Sequence, residues 1–263
     1  LFTFKSIAII KVINAHKDRE IILEGAGNIP IIVMDYLRFK KRKFNTILGN
    51  IESFVPQKNI KNYFKSHKDK YFLELNGYMN AQFIYTISDL DSAIIGCHKM
   101  NSKIIPYFPS KKDYKNLRKI RTNRIKKSLS KFDGHILLFG TVSNPPTRQG
   151  MLNAIKDFEN QNNKYNLIVA GFGTDVFNNL NSSKVSILGS VNDKELQELM
   201  LNSKCLIVNQ SQTTGFLCKI VDFNLAGIPI FITSKYYQGY HLEKYGIFTV
   251  NLRDVSKLLD SSI

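Results

Sequence analysis

Long apolar runs are missing from this chain of 263 residues. No stretch of roughly 18 apolar residues occurs, so a membrane-spanning helix is excluded. Cysteine is scarce. Cys97, Cys205 and Cys218 are widely spaced and form no CxxC pair, which argues against a zinc site or a disulfide framework. The histidines, His16, His67, His98, His135 and His241, are equally scattered and show no HExxH or HxxxH spacing. Hydrophobic residues make up 43% of the chain and charged residues 22%. That balance suits a globular protein and excludes a wholly disordered one. The length allows one large domain or two of roughly 130 residues, each able to bury a core.

Acidic residues are short in one half only. Residues 1–131 hold 26 Lys and Arg against 10 Asp and Glu, which accounts for the whole net charge of +16, whereas residues 132–263 hold 11 of each. Two clusters dominate the basic half: Arg38-Phe39-Lys40-Lys41-Arg42-Lys43, and the run from Lys111 to Lys131 with Asp113 as its single acid. Tyr114, Leu117, Ile125 and Leu129 recur through that run at helical spacing, so it reads as a basic amphipathic helix. One reading is attraction to an anionic surface, a lipid headgroup layer or nucleic acid. The other is a solvated helix. The expected organisation is a basic domain over 1–131 and a neutral one over 132–263, with the polar stretch Ser128–Gly134 as linker.

The first residue is not Met, and residues 1–16 are apolar with two charges. They read as a helix packed on a sheet or, less well, as a signal peptide, since they lack a small-residue cleavage site. If the chain starts inside a domain, a strand and its loop precede it. Strand-like runs in the first half are Glu20–Leu23, Ile29–Met34, Thr46–Leu48, Phe83–Ser88 and Lys103–Tyr107. In the second they are His135–Phe139, Asn166–Ala170, Lys184–Leu188, Cys205–Val208, Ile228–Ile232 and Phe248–Val250. Helical patterns over Gln149–Gln161, Asp193–Leu201, Thr214–Ala226 and Arg253–Leu259 fall between the latter, and Asn192 with Glu195 makes a capping box. Alternating strands and helices predict an α/β fold with parallel sheets covered on both faces.

Ligands of open α/β sheets sit beyond the carboxyl ends of the strands. Three such ends stand out. Gly140 to Gly150 is a loop of small residues containing Arg148, suited to phosphate oxygens or else an ordinary turn with Pro145-Pro146 as punctuation. Gly171-Phe172-Gly173 permits a tight turn and close approach, without the third glycine of a dinucleotide fingerprint. Asn209 to Phe216 leads into a helix bearing Lys219 and Asp222, three apart on one face. They suit a phosphate and a ribose diol, or form a surface ion pair of negligible value.

Taken in order, Leu137-Leu-Phe-Gly140, Arg148-Gln-Gly150, Leu167-Ile-Val-Ala-Gly171-Phe-Gly173, Val185-Ser-Ile-Leu-Gly189, Ser211-Gln-Thr-Thr214-Gly215-Phe216 and Lys219-Ile-Val-Asp222-Phe-Asn-Leu-Ala226-Gly227-Ile-Pro229 resemble the donor half of a GT-B glycosyltransferase of the retaining group 1 (family 4-like) kind. The likeness runs from 135 to 233. In the first half, Asn50-Ile-Glu52-Ser53, Phe83-Ile-Tyr-Thr-Ile-Ser88 and Ile104-Ile-Pro106-Tyr-Phe-Pro109 resemble acceptor-half segments more faintly. The resemblance implies two Rossmann-like domains facing a cleft, the first small or N-terminally incomplete. It implies a nucleotide-diphosphate sugar as donor and a glycan or lipid-linked acceptor in surface polysaccharide synthesis. It also implies a metal-independent hexosyltransferase with no cofactor, cytoplasmic or peripheral at the inner membrane face through the basic half.

The donor site so implied comprises Gly140, Arg148, Gly171, Gly173, Thr214, Gly215, Phe216, Lys219 and Asp222, with Glu52 the only candidate for catalysis. The family's paired glutamates fall at Thr214 and Asp222, so the first acid is replaced, and Gly49 stands where a first-half histidine is expected. Asp89-Leu90-Asp91 mimics a metal-binding DxD motif. After Thr86-Ile87-Ser88 it reads instead as acids opening a helix, where they favour the dipole. Two other classes compete: a non-catalytic glycosyltransferase-like subunit, and a basic nucleic-acid-binding protein using Tyr36, Phe39, Phe44, Tyr63 and Phe64. Core packing is the plainer role for those aromatics.

Overall fold

The computed structural model describes residues 4–25, 27–51, 53, 67–128, 134–161, 164–210, 216–233 and 247–261. Two compact units divide between Tyr107 and Phe108, with Phe216 alone of the later described residues grouped with the first. In the first, α1 (Phe4–Ala15), β1 (Ile22–Glu24), α2 (Asn28–Phe39), β2 (Phe44–Leu48), α3 (His67–Tyr78), β3 (Ala81–Thr86), α4 (Asp89–Cys97) and β4 (Ser102–Ile104) follow one another. The four strands pair in parallel in the order β1-β2-β3-β4. Its core joins Ile13 of α1, Val33, Met34 and Leu37 of α2, Leu75 and Tyr78 of α3, and Ile84 of β3.

The run Ile29–Met34, expected as a strand, lies inside α2. A short apolar run does not distinguish a strand from a buried helix by periodicity. Here Pro30 falls in the first turn, where its missing N–H costs nothing, and Ile31, Met34 and Leu37 are buried at helical spacing. Of the aromatics proposed to stack on bases, Phe44 is a core residue and Tyr36 bonds Asn14. Phe39 is exposed with the Lys40 Nζ 5.4 Å from its ring centroid, and Tyr63 and Phe64 lie outside the described residues.

The second unit begins with α5 (Lys111–Ser128). It continues through β5 (His135–Phe139), α6 (Pro145–Glu159), β6 (Leu167–Ala170), a 3₁₀ segment (Thr174–Leu180), β7 (Val185–Gly189), α7 (Asp193–Asn202), β8 (Ser203–Val208), α8 (Cys218–Leu225), β9 (Ile230–Thr233), β10 (Ile247–Val250) and α9 (Val255–Ser261). Six parallel strands pair in the order β10-β9-β8-β5-β6-β7. Alternate residues of β5 split between two cores. Ile136 and Leu138 join α6 and α9 on one face, and Leu137 joins α5, α7 and α8 on the other.

The basic helix therefore belongs to the second unit, not to the basic half in which composition placed it. Residues 1–107 hold 16 basic and nine acidic residues, and residues 108–263 hold 21 and 12, so both units are positive. The buried face of α5 also differs from expectation. Leu117 and Ile120 are buried while Ile125 is exposed, and Leu129 lies outside the described residues, as does most of the expected linker.

Arg124 explains why α5 sits where it does. Its Nη1 donates to the carbonyls of Met200 (2.8 Å), Leu201 (3.3 Å) and Ser203 (2.6 Å), and its Nε to Gly227 O (3.3 Å). One guanidinium thus caps the carboxyl ends of α7 and α8, where carbonyls lack helical partners and the dipole is negative. Burial lowers its pKa to about 10, so it stays charged at neutral pH. Replacing Arg124 by Met leaves those carbonyls without the cation. We expect a loss of about 2–3 kcal/mol in urea unfolding, with Arg124→Lys no better, because a point charge does not span the fork. Arg118→Met on the exposed side should change stability by less than about 0.5 kcal/mol.

Candidate functional site

In the second sheet the chain leaves β5 toward β6 on one side and β8 toward β9 on the other. This is a topological switch point. The helices that follow, α6 and α8, pack on opposite faces, and in open α/β sheets the carboxyl ends of strands placed as β5 and β8 are here are the general place for a ligand.

The residues at that edge pack closely. Gly171 (φ +126°) closes the turn after β6, and a Cβ there would lie 2.1 Å from Gly140 O. Only glycine satisfies both demands. Gly171 is buried against the β5 loop, so its missing side chain serves loop packing, and Gly173 caps the 3₁₀ segment in the left-handed region. At Gly150 a Cβ would meet Asn209 O at 2.0 Å, which brings α6 against the end of β8. Asn209 Nδ2 donates to Gly150 O (3.0 Å) and Thr233 Oγ1 to Asn209 Oδ1 (2.8 Å). Thr147 Oγ1 donates to Gln210 Oε1 (3.2 Å), both side chains being buried. Sequence reasoning assigned no role to these four polar residues. Their only signal was polar character at the ends of apolar runs.

Lys219 is the electrostatic centre. Its Nζ donates to Phe139 O (2.9 Å) and lies 3.5 Å from where a Gly140 Cβ would stand. It sits in the first turn of α8, the positive end of that helix dipole. Burial lowers its pKa to about 8, although the residue keeps part of its surface exposed. Among the described residues no carboxylate forms an ion pair with it. A cation at a helix amino terminus, partly desolvated and without a counter-ion, is unfavourable for the fold and favourable for an anion.

The two helix starts at this edge of the sheet also lack side-chain caps. Asn144 before α6 and Leu217 before α8 make no capping bond. By contrast, α7 at the sheet edge carries the expected Asn192–Glu195 capping box. The two starts are not equivalent as anion sites. The helix expected from Gln149 begins at Pro145, because proline suits the first turn. Pro145 and Pro146 remove two first-turn N–H groups, so α8 offers more to an anion than α6 does. Arg148 is exposed in the first turn of α6 rather than ahead of it.

Asp222 is partly buried one turn after Lys219, and its charge helps raise the Cys218 thiol pKa, after burial. Phe216 is partly buried. Thr214, Gly215 and Glu52 lie outside the described residues. The structure thus brings Gly140, Gly171 and Lys219 together, with Thr147 beside Gly140. In the first unit, Ser88 caps α4: its Oγ accepts from Asp91 N (3.0 Å) and donates to Asp91 Oδ2 (2.9 Å). The DxD look-alike is a helix cap, as expected. Among the described residues no group of three or more His, Cys, Asp or Glu could hold a metal, and no helix is long and apolar enough to cross a membrane.

No family profile and no curated protein matches the sequence. Solved structures do match. HepE of Anabaena in complex with UDP superposes with a TM-score of 0.64 at 12% identity over 96% of this chain and 71% of that one. Sucrose-phosphate synthase of Thermosynechococcus elongatus gives 0.66 at 11% over 98% and 66%. Trehalose 6-phosphate synthase of Burkholderia multivorans gives 0.63 at 10% over 100% and 69%. UDP-N-acetylglucosamine 2-epimerase of Methanocaldococcus jannaschii also matches, at 0.50. The chain spans between 66% and 71% of the first three structures.

The Lys219 geometry sets a pH dependence. Its cation is present below pH about 8 and lost above it. Affinity for an anion held by this cation, measured by calorimetry with inorganic pyrophosphate, should be level below pH 8 and fall by up to about tenfold per pH unit beyond it. Lys219→Met should flatten that profile at weak affinity. Because the folded-state pKa lies below the unfolded one, the charge disfavours folding at neutral pH. The variant should therefore not lower apoprotein stability at pH 7. On all these grounds together, the chain has the two-sheet parallel α/β fold of the GT-B glycosyltransferases.

Proposed function

We propose that this chain binds a nucleotide-diphosphate sugar at the β5/β8 switch point and transfers its sugar to a glycan or lipid-linked acceptor in surface polysaccharide synthesis. The observation that carries the reading is Lys219: a half-buried cation with no counter-ion among the described residues, held over Gly140 at the switch point.

In transfer, the bond from the anomeric carbon to the diphosphate oxygen breaks and negative charge grows on the departing diphosphate. Lys219, the amino end of α8 and the exposed Arg148 stabilise that charge, so the reading needs no metal and no cofactor. Asp222 accepts hydrogen bonds from the ribose diol. The acceptor hydroxyl oxygen forms the new bond to the anomeric carbon, and its proton passes to the departing diphosphate oxygen. UDP is the first nucleotide to test, since HepE is known with UDP and with UDP-glucose.

A second reading keeps the donor site but removes turnover. Thr214 stands where the resembled family has an acid, so the chain would bind the donor as a non-catalytic subunit. Thermal unfolding with UDP, GDP, CMP and ADP, and with their sugars, addresses the donor site. Ligand at about 100 times its Kd adds about 2.7 kcal/mol, a shift of several degrees. We expect one nucleotide to give it, unchanged by chelator, and Lys219→Met to lose it. No shift with any of them would overturn the donor-site reading. A shift with a sugar nucleotide but no release of free nucleotide with any acceptor would favour the subunit.

A further inference from the structure

We propose that the outward stripe of α5 docks the second unit onto an anionic lipid surface. The buried side of this helix is Leu117, Ile120 and Arg124. On the opposite side Lys111, Lys112, Lys115, Arg118, Lys119 and Lys126 are all exposed. At helical spacing of 100° per residue they fall within one third of the circumference, with Thr122 among them. The stripe runs about 22 Å along the axis at ~1.5 Å per residue. The helix's single acid does not interrupt it. Asp113 is tied to the start of α5, where its Oδ2 accepts from Ser110 Oγ (2.6 Å) and its N–H donates to that oxygen (3.2 Å).

The charge is concentrated there. Residues 111–128 carry nine basic residues and one acid, and the rest of 108–263 is close to neutral with 12 and 11. So one-sided a row, held rigid by the Arg124 clamp, is costly in self-repulsion unless an anionic surface lies against it.

Shape and flanking residues point to lipid rather than nucleic acid. A single convex helix gives a polynucleotide no groove to follow, whereas it meets a planar bilayer along its length. Apolar side chains border the row. Phe108 ahead of the helix is 64% exposed and packs on Tyr114 with ring centroids 5.2 Å apart, and Ile125 on the flank is 60% exposed. Cations with apolar neighbours that enter the headgroup layer are the composition of an interfacial helix. This inference does not rest on the donor-site reading.

Sedimentation with phosphatidylcholine–phosphatidylglycerol vesicles, against phosphatidylcholine alone, tests it. Wild type should sediment with the anionic vesicles only and be released by salt. At about fivefold per cation, replacing Lys115, Lys119 and Lys126 by Gln should weaken partitioning on the order of a hundredfold. A control replaces Lys156, Lys194 and Lys257 by Gln. These are exposed lysines on other helices of the unit, and the control should stay within a few fold of wild type. Circular dichroism melts of all three proteins establish that each is folded. Equal loss in both variants, or no sedimentation of folded wild type, would overturn the proposal. So would an oligonucleotide that binds the stripe while anionic vesicles do not.

Discussion

The reversal of strand order between β8 and β5 is the constraint on which the second unit turns. Because the two strands are neighbours and their connections diverge, α6 and α8 start side by side and pack on opposite faces of the sheet. Two helix starts, two glycine-bearing loops and a lysine then converge on one edge. The packing there leaves little freedom. Gly171 abuts Gly140 and Gly150 abuts Asn209 at distances that admit no side chain. Lys219 occupies the space over Gly140 and donates to the carbonyl that ends β5. The fold tolerates a partly desolvated cation at a positive helix end, an arrangement that works against stability and marks sites built for something other than stability.

A second cation does the opposite work at the other ends of the helices. Arg124 binds carbonyls at the carboxyl termini of α7 and α8, where the dipole favours it. The two residues divide the electrostatics of the unit. Arg124 meets the negative ends of helices, and Lys219 stands at a positive one. Fixing α5 through Arg124 also decides where the remaining cations of that helix point. A structural clamp on one face thereby creates the charged stripe on the other.

Much of the second unit was legible in the sequence. Strands buried on both faces produce continuous apolar runs, so β5, β6, β8 and β9 stood out, and the glycines after β5 and β6 and at the end of β7 marked the turns. Lys219 could be singled out as lying three residues before Asp222 on one helix face, although the helix, expected from Thr214, begins at Cys218 and so puts Lys219 in its first turn. Its partner could not, because Phe139 O is 80 residues away and a backbone acceptor leaves no trace in composition. The Thr147–Gln210 and Asn209–Thr233 pairs were hidden for the same reason. The first unit was harder. The apolar run of α2 carries β-branched residues and so looked like a strand, and Glu52, the one residue offered for catalysis, lies outside the described residues. Charge counting misplaced α5, because a charge total does not report which core a helix joins. Pro106 and Pro109, which bracket the boundary at Tyr107 and Phe108, were the better signal.

The central claim is that an anion belongs at the switch point between β5 and β8. A crystal structure of the chain grown with UDP tests it most directly. The account predicts diphosphate oxygens over Gly140, with Lys219 Nζ within hydrogen-bonding distance and the ribose toward Asp222. A nucleotide bound at any other place, with Lys219 still engaged only with Phe139 O, would contradict it.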